Sequence, residues 1–282
     1  MLHRTLIVHA TIVAAALAAT SVGASAQGKL DARYTVTLAG VPIGKGAWTI
    51  DIADDQYTAA ASGMTTGLLR VFASGQGSGA SRGHIGAGGA LIPSSYASTI
   101  TADTKTEELR IVLHNGTVKE FVVEPPTPPH PERIPITEAH RKGVTDPMTA
   151  ALVRVPGNGD PMSSDVCSKG AAVFDGRLRY DLKMAFKRFE QISVERGYQG
   201  PAVVCAVYFT PIAGYIPDRP AIKYLIAQRD MEIWFAPVAG TRVVVPYRIS
   251  IPTPLGMGIM QATRFVSTPQ SARATPTSAR IQ

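Results

Sequence analysis

The sequence predicts a mainly β protein: an antiparallel sheet, strongly curved or forming an open β-barrel, with one or two short helices. Three observations lead there. Apolar and polar residues alternate with a period of two, as in Tyr34, Val36 and Leu38 against Thr35 and Thr37. Turn formers are dense, with 26 Gly and 21 Pro among 282 residues, which excludes a coiled coil or long-helix protein. Hydrophobic residues make up 45% and charged residues 17%, which excludes a disordered chain and supplies a sizeable core. Many strands with one apolar face must curl or stack to bury that face.

The first 26 residues read as a cleaved export signal. Arg4 is followed by the apolar run LIVHATIVAAALAAT and by Ala24-Ser25-Ala26, a small-x-small peptidase site that makes Gln27 the expected mature start. The purely apolar core is too short for a spanning helix, and no Cys sits near the cleavage site to accept a lipid. The expected location is therefore the periplasm, with no transmembrane segment in the mature chain.

Residues 27–266 read as one β-rich domain. Trp48, Ile50 and Ile52 alternate with Thr49 and Asp51 after the turn region AGVPIGKG, which makes a hairpin with Tyr34–Leu38; QYTAAAS extends it. The stretch from Gly63 to Gly89 is either a loop or a set of glycine-bearing strands that bend or admit close backbone approach. SSYASTIT, LRIVLHN and TVKEFVVE follow as strands, the last two joined at Asn115-Gly116, a strong type I′ hairpin signal. EPPTPPHPERIP, within residues 124–135, cannot pair as a strand and reads as a polyproline connector. Asp146-Pro147 opens a short helix expected to run through MTAALVRV. Strands then resume through FDGRLRYDLKMAF, QISVERGY, PAVVCAVYFT, IKYLIAQ, MEIWFAPV, TRVVVPYRISI and GIMQATRFV. Residues 267–282, polar and rich in Ser, Thr, Pro and Arg, read as a disordered tail.

Cys167 and Cys205 are the only cysteines, and in an oxidising compartment they are expected to form a disulfide. Closing that loop removes on the order of 3–4 kcal/mol of unfolded-state entropy. Two Cys with no nearby His are half a zinc shell, and His84, His114, His130 and His140 show no ligand spacing, so neither a metal nor a cofactor is expected. The net charge of +7 comes from dispersed basic residues without an interleaved aromatic stripe, which argues against nucleic-acid binding; the excess is either ordinary solubility charge or a mild preference for anionic lipid head groups or acidic polysaccharide.

Gly79-Ala80-Ser81-Arg82-Gly83 matches the G-x-S-x-G nucleophile pattern, but the following HIGAGGALIP cannot make the helix that the elbow requires. Gly75–Ala80 resembles a dinucleotide turn without a βαβ unit around it. The stretch Phe174–Leu182 is more informative. Asp175-Gly176 makes a turn; beyond it Arg177, Arg179, Asp181 and Lys183 share one strand face, and Leu178, Tyr180, Leu182 and Met184 the other. Arg177, Arg179, Tyr180 and Asp181 are the candidate ligand-binding residues, because Arg binds carboxylate or phosphate bidentately. The competing reading, and the favoured one, is a solvated face of alternating charges.

In order, YTVTLAGVPIGKGAWTI, TDPMTAAL, FDGRLRYDL, the Cys205 strand leading into TPIAGY, and EIWFAPV with VVPYRISIPTPLG resemble the exported domain of unknown function 3108 family, from Leu30 to Val266. The resemblance implies a β-rich periplasmic domain and no catalytic residues. The expected function is that of a non-enzymatic, monomeric envelope protein binding a lipid or other amphipathic molecule in the sheet concavity. A periplasmic hydrolase of envelope polymers and an assembly module that binds another envelope protein are the alternatives.

Overall fold

The computed structural model describes residues 27–67 and 74–270. The expected leader and residues 271–282 lie outside that range.

Seven strands form an up-and-down meander: β1 (Gln27–Leu38), β2 (Val41–Ile52), β3 (Gln56–Thr65), β4 (Gly75–Ile85), β5 (Leu91–Ala102), β6 (Lys105–His114) and β7 (Thr117–Glu124). Each pairs antiparallel with the next. The β6–β7 turn is the predicted one. Asn115 and Gly116 have φ of 47° and 72°, the two positive values that a type I′ turn demands. Within the Gly63–Gly89 stretch, Gly75–Ile85 form the strand β4, whose glycines alternate with Gln76, Ser78 and Ala80; residues 68–73 lie outside the described range.

After the proline connector come α1 (Pro147–Ala150), β8 (Val153–Arg154), β9 (Ala171–Phe174), β10 (Arg179–Ser193), β11 (Arg196–Gly197), β12 (Gln199–Ala213), α2 (Pro220–Ala227), β13 (Glu232–Pro237), β14 (Val243–Thr253) and β15 (Gly256–Gln270). The strand order is β7-β6-β5-β4-β3-β2-β1-β15-β14-β13-β12-β10-β9, with β8 on β14 and β11 on β15. The first and last strands pair along their whole length, from Gln27↔Gln270 to Leu38↔Gly258. Ser267–Gln270, read from sequence as the start of a tail, thus complete β15 instead.

Two other expectations change. IKYLIAQ forms the helix α2 rather than a strand: Pro220 occupies its first turn, and among the described strands none offers it a ladder. The helix opened by Asp146 lasts one turn, because Leu152, Val153 and Val155 turn into the core and Arg154 pairs with Val243.

The two ends of the strand order are joined by the segment after the connector. Lys142 bridges Thr117 of β7, and Val144 N donates to Gly116 O at 2.9 Å. Three residues on, Thr145 N donates to Ala172 O (2.8 Å), and Phe174 N to Thr145 O (2.9 Å), on β9. Beneath this strap Ile111, Leu113, Val118, Val144 and Phe174 form a buried cluster. The open sheet is thereby bent round and tied. A second cluster, Val153, Val155, Met162, Val166, Val203, Phe235 and Val244, surrounds the disulfide between Cys167 and Cys205, whose Cα atoms are 5.6 Å apart. Cys205 sits in β12, and Cys167 in the single-turn helix Ser164–Ser168.

Candidate functional site

The concave face of β1–β6 is lined by small residues. Register places Tyr34, Gly46, Gly63, Gly77 and Ile100 in one row across β1–β5. The next row holds Ala32, Trp48, Ala61, Gly79, Ser98 and Leu109. Both rows face the core at their β1–β2 end, where Ala32, Tyr34 and Trp48 are buried, and open to solvent toward Ile100, which is 53% exposed. A Cβ built on Gly46 or Gly63 meets only the carbonyl of a neighbouring strand, at 3.0 Å from Ser62 O and 3.5 Å from Lys45 O. Among the described residues, no side chain comes within 4 Å of either built Cβ.

Three cavities occupy the space above these rows. One of about 400 Å³ lies among Tyr34, Val36, Gly46, Trp48, Ala61 and Met260. One of about 470 Å³ continues over Gly63, Gly77 and Gly79 to Tyr96, Ile100 and Met148. The third, about 550 Å³, shares Tyr96, Ser98 and Ile100 with the second and ends at Arg133, Arg177, Tyr180 and Arg219. They form one trough. A further cavity of about 900 Å³ lies under the strap among Leu91, Val144, Leu152, Leu182, Met184, Ile233 and Ile249. Packed interiors hold few voids larger than a water, and small-molecule sites run to several hundred cubic ångströms.

The indole Nε1 of Trp48 is buried in the trough wall with no protein acceptor. A polar knot marks where α1 crosses the sheet. Asp146, fully buried, accepts from Met148 N (3.0 Å), Thr149 N (2.9 Å), Thr149 Oγ1 (2.6 Å) and Ser81 Oγ (3.1 Å). The Tyr57 hydroxyl is 2.8 Å from Thr149 Oγ1. Burial pushes the Asp146 carboxyl above the usual carboxylate range, against hydrogen bonds that favour its ionised form. Ser81, the centre of the G-x-S-x-G match, lies mid-strand and is 3% exposed; its hydroxyl partners are Asp146 and Thr149. That is a structural tie and not a nucleophile elbow.

The four sequence candidates are divided between two environments. The expected single row is broken by the turn: Asp175 Oδ1 accepts from Arg177 N (2.9 Å) and Leu178 N (2.6 Å), so strand alternation starts only at Arg179. Arg179 and Asp181 pair with each other at 2.7 Å, their side chains 13% and 35% exposed, and neither lines the trough. Arg177 and Tyr180 do line its third cavity. Arg177 reaches Thr127 Oγ1 (2.9 Å), Pro125 O (3.2 Å) and Glu107 (3.3 Å), and so clamps the proline connector. Tyr180 packs against Phe209 with ring centroids 5.4 Å apart and the planes tilted by 44°, and burial raises its pKa. Arg133 and Arg219, the other two guanidiniums there, carried no sequence signal of their own. The alternate glycines at 75, 77 and 79 were the signal for the hollow wall. Among the described residues no group of three or more His, Cys, Asp or Glu side chains could hold a metal ion.

Residues 33–263 match the family model described as "Protein of unknown function (DUF3108)". The chain belongs to this family. A search of the curated proteins gave no match. Among solved structures, the chain is similar to a β-barrel-like protein of domain of unknown function DUF1849 from Brucella abortus, at 8% identity and a TM-score of 0.41, covering 87% of this chain and 99% of that one. Among the described residues of this family member, no helix is long and apolar enough to cross a membrane.

Proposed function

We propose that this chain is a non-enzymatic protein of the cell envelope, exported to the periplasm, that holds an apolar or amphipathic molecule in the concavity of its sheet. One observation carries the reading: the trough is hollow because glycine and alanine occupy its wall, and along its first two cavities the exposed lining is mostly apolar. Burying apolar ligand surface there contributes about 25 cal/mol per Å². The small-x-small site before Gln27 supports export, and β1 begins at that residue. The disulfide suits an oxidising compartment.

Native mass spectrometry of protein released by osmotic shock tests both parts. The expected result is a chain starting at Gln27 with a co-purifying lipid-sized mass that denaturation removes. A chain that keeps Arg4 sinks the export reading. An apo mass, together with no uptake of added long-chain amphiphile, sinks the binding reading.

A further inference from the structure

We infer that the trough selects an anionic single-chain amphiphile, held with its carboxylate or phosphate at the Arg133–Arg177–Arg219 end and its tail running over the glycine wall toward Trp48. The inference deepens the binding reading above and rests on it.

The two ends of the trough differ in chemistry. The Trp48 end is bounded mostly by apolar side chains and strand backbone, with Lys45 as its one charged lining residue. At the opposite end, in the third cavity, three guanidiniums and three carboxylates meet, but the charges do not cancel locally. Glu107 is engaged by Arg177 and Glu108 by Arg110, while Asp175 is turned into its own turn, capping two backbone N–H groups. Among the described residues Arg133 donates only to the carbonyls of Gly214 and Pro128, which leaves its charge without a carboxylate there, and its Nε is buried without an acceptor. The Arg219 side chain makes no hydrogen bond or ion pair with the described residues. With Arg110, four guanidiniums stand at this end against the three carboxylates of Glu107, Glu108 and Asp175, and Arg133 and Arg219 are the two without an ion-pair partner among the described residues, which sets up an attractive potential for an anion with several acceptor oxygens.

The path between the ends suits one chain. Trp48 of β2 and Leu109 of β6 belong to one cross-strand row, four strand spacings apart. At 4.7–4.9 Å per spacing the tail has roughly 19 Å to run. Between them Ala61, Gly79 and Ser98 keep the floor low.

The test compares oleate, oleyl alcohol, acetate and inorganic phosphate as ligands of the wild-type protein and of Arg219→Gln, a variant at a side chain that holds nothing else in place. Oleate is expected to bind at least about tenfold more tightly than the alcohol, with the preference falling to about threefold or less in Arg219→Gln while alcohol affinity stays unchanged. Orientation is read by tryptophan quenching. A stearate brominated at its terminal carbon is expected to quench more than one brominated beside the carboxylate, and the difference should vanish in Trp48→Phe, which leaves Trp234 as the only indole. Equal affinity for oleate and alcohol, or stronger quenching by the head-proximal bromine, overturns the inference and leaves the binding reading intact. Acetate or phosphate binding as tightly as oleate also overturns it, since the tail would then contribute nothing. If neither oleate nor the alcohol binds, the binding reading itself falls.

Discussion

The two arms of the sheet obey the same antiparallel rules and do opposite things with their faces. In β12–β14, successive residues Val203, Val204 and Cys205, and Val243, Val244 and Val245, are buried on both sides, and a disulfide ties the helical turn at Cys167 to them. In β2–β4 only one face meets the interior, and where the packed arm carries Val or Phe it carries Gly46, Gly63, Gly77 and Gly79. At these glycine positions strand ladders hold the hollow wall in shape, while Ile50, Ile52, Tyr57 and Ala59 at the other end of β2–β3 pack into the core shared with the second arm. Hydrogen-bonded backbone can maintain a surface without filling the volume above it; what it needs is an anchor at each end. Here β1 joins the hollow arm to β15, and the Asp146 knot ties β4 to the strap.

Four outcomes would break or sharpen that contrast. The largest belongs to the packed arm. Cys167→Ala opens a loop with a sequence separation of 38, and by chain entropy it should cost about 4 kcal/mol, read as a lower denaturant midpoint together with a steeper slope as the freed unfolded chain expands. An unchanged midpoint would mean that the apolar packing around Cys205 suffices without the cross-link.

Next comes the knot. Asp146→Ala removes the α1 cap and leaves buried donors on Ser81 and Thr149 without an acceptor, for a loss of roughly 2–4 kcal/mol. Asp146→Asn probes the charge. Because burial holds the folded-state pKa above the unfolded value, the folded chain binds this proton more tightly. Its contribution is full below the ordinary carboxylate pKa and is lost as pH rises through the raised one. The Asn variant should therefore flatten the part of the stability–pH curve above about pH 4. A steeper curve in the Asn variant would refute the assigned direction.

Arg179→Ala should cost only about 1 kcal/mol or less, since its partner Asp181 is one-third exposed, and should leave ligand uptake unchanged. Lost uptake with an unchanged melting temperature would return this pair to the site. The smallest effect on stability is expected from Gly63→Val. A Cβ there meets nothing nearer than 3.5 Å, and φ is not positive, so stability should move by under about 1 kcal/mol while the trough is blocked. Thermal melting beside oleate titration separates the two readouts. Retained uptake would place the ligand elsewhere, with the cavity beneath the strap as the next candidate.

Much of the fold was legible because its signals are local. The Asn115-Gly116 turn, the Tyr34 and Trp48 alternations and the Asp146-Pro147 helix start each depend on a few adjacent residues. The helix α2 was missed because Ile222, Leu225 and Ile226 look equally apolar to a strand template, although Pro220 was a start signal in plain view. The site was legible in part. Arg177 and Tyr180 were singled out and do line the trough; Arg179 and Asp181 were grouped with them because the alternation was carried back through a turn that interrupts it.

Composition and period by themselves determined that this is a β protein with a pairable cysteine couple, and left the glycine-rich stretch around 75, 77 and 79 open between loop and strand. Only the tertiary structure decided that the glycine face of this stretch points inward, that Ser81 and Asp146 meet across 65 residues, and that Arg133, Arg177 and Arg219 converge at one end of the trough. Periodicity fixes which residues share a face of one strand. Which face is enclosed, and what stands opposite it, depends on how the whole sheet curls and on where the strap ties its ends, and those are set by contacts between residues far apart in the chain.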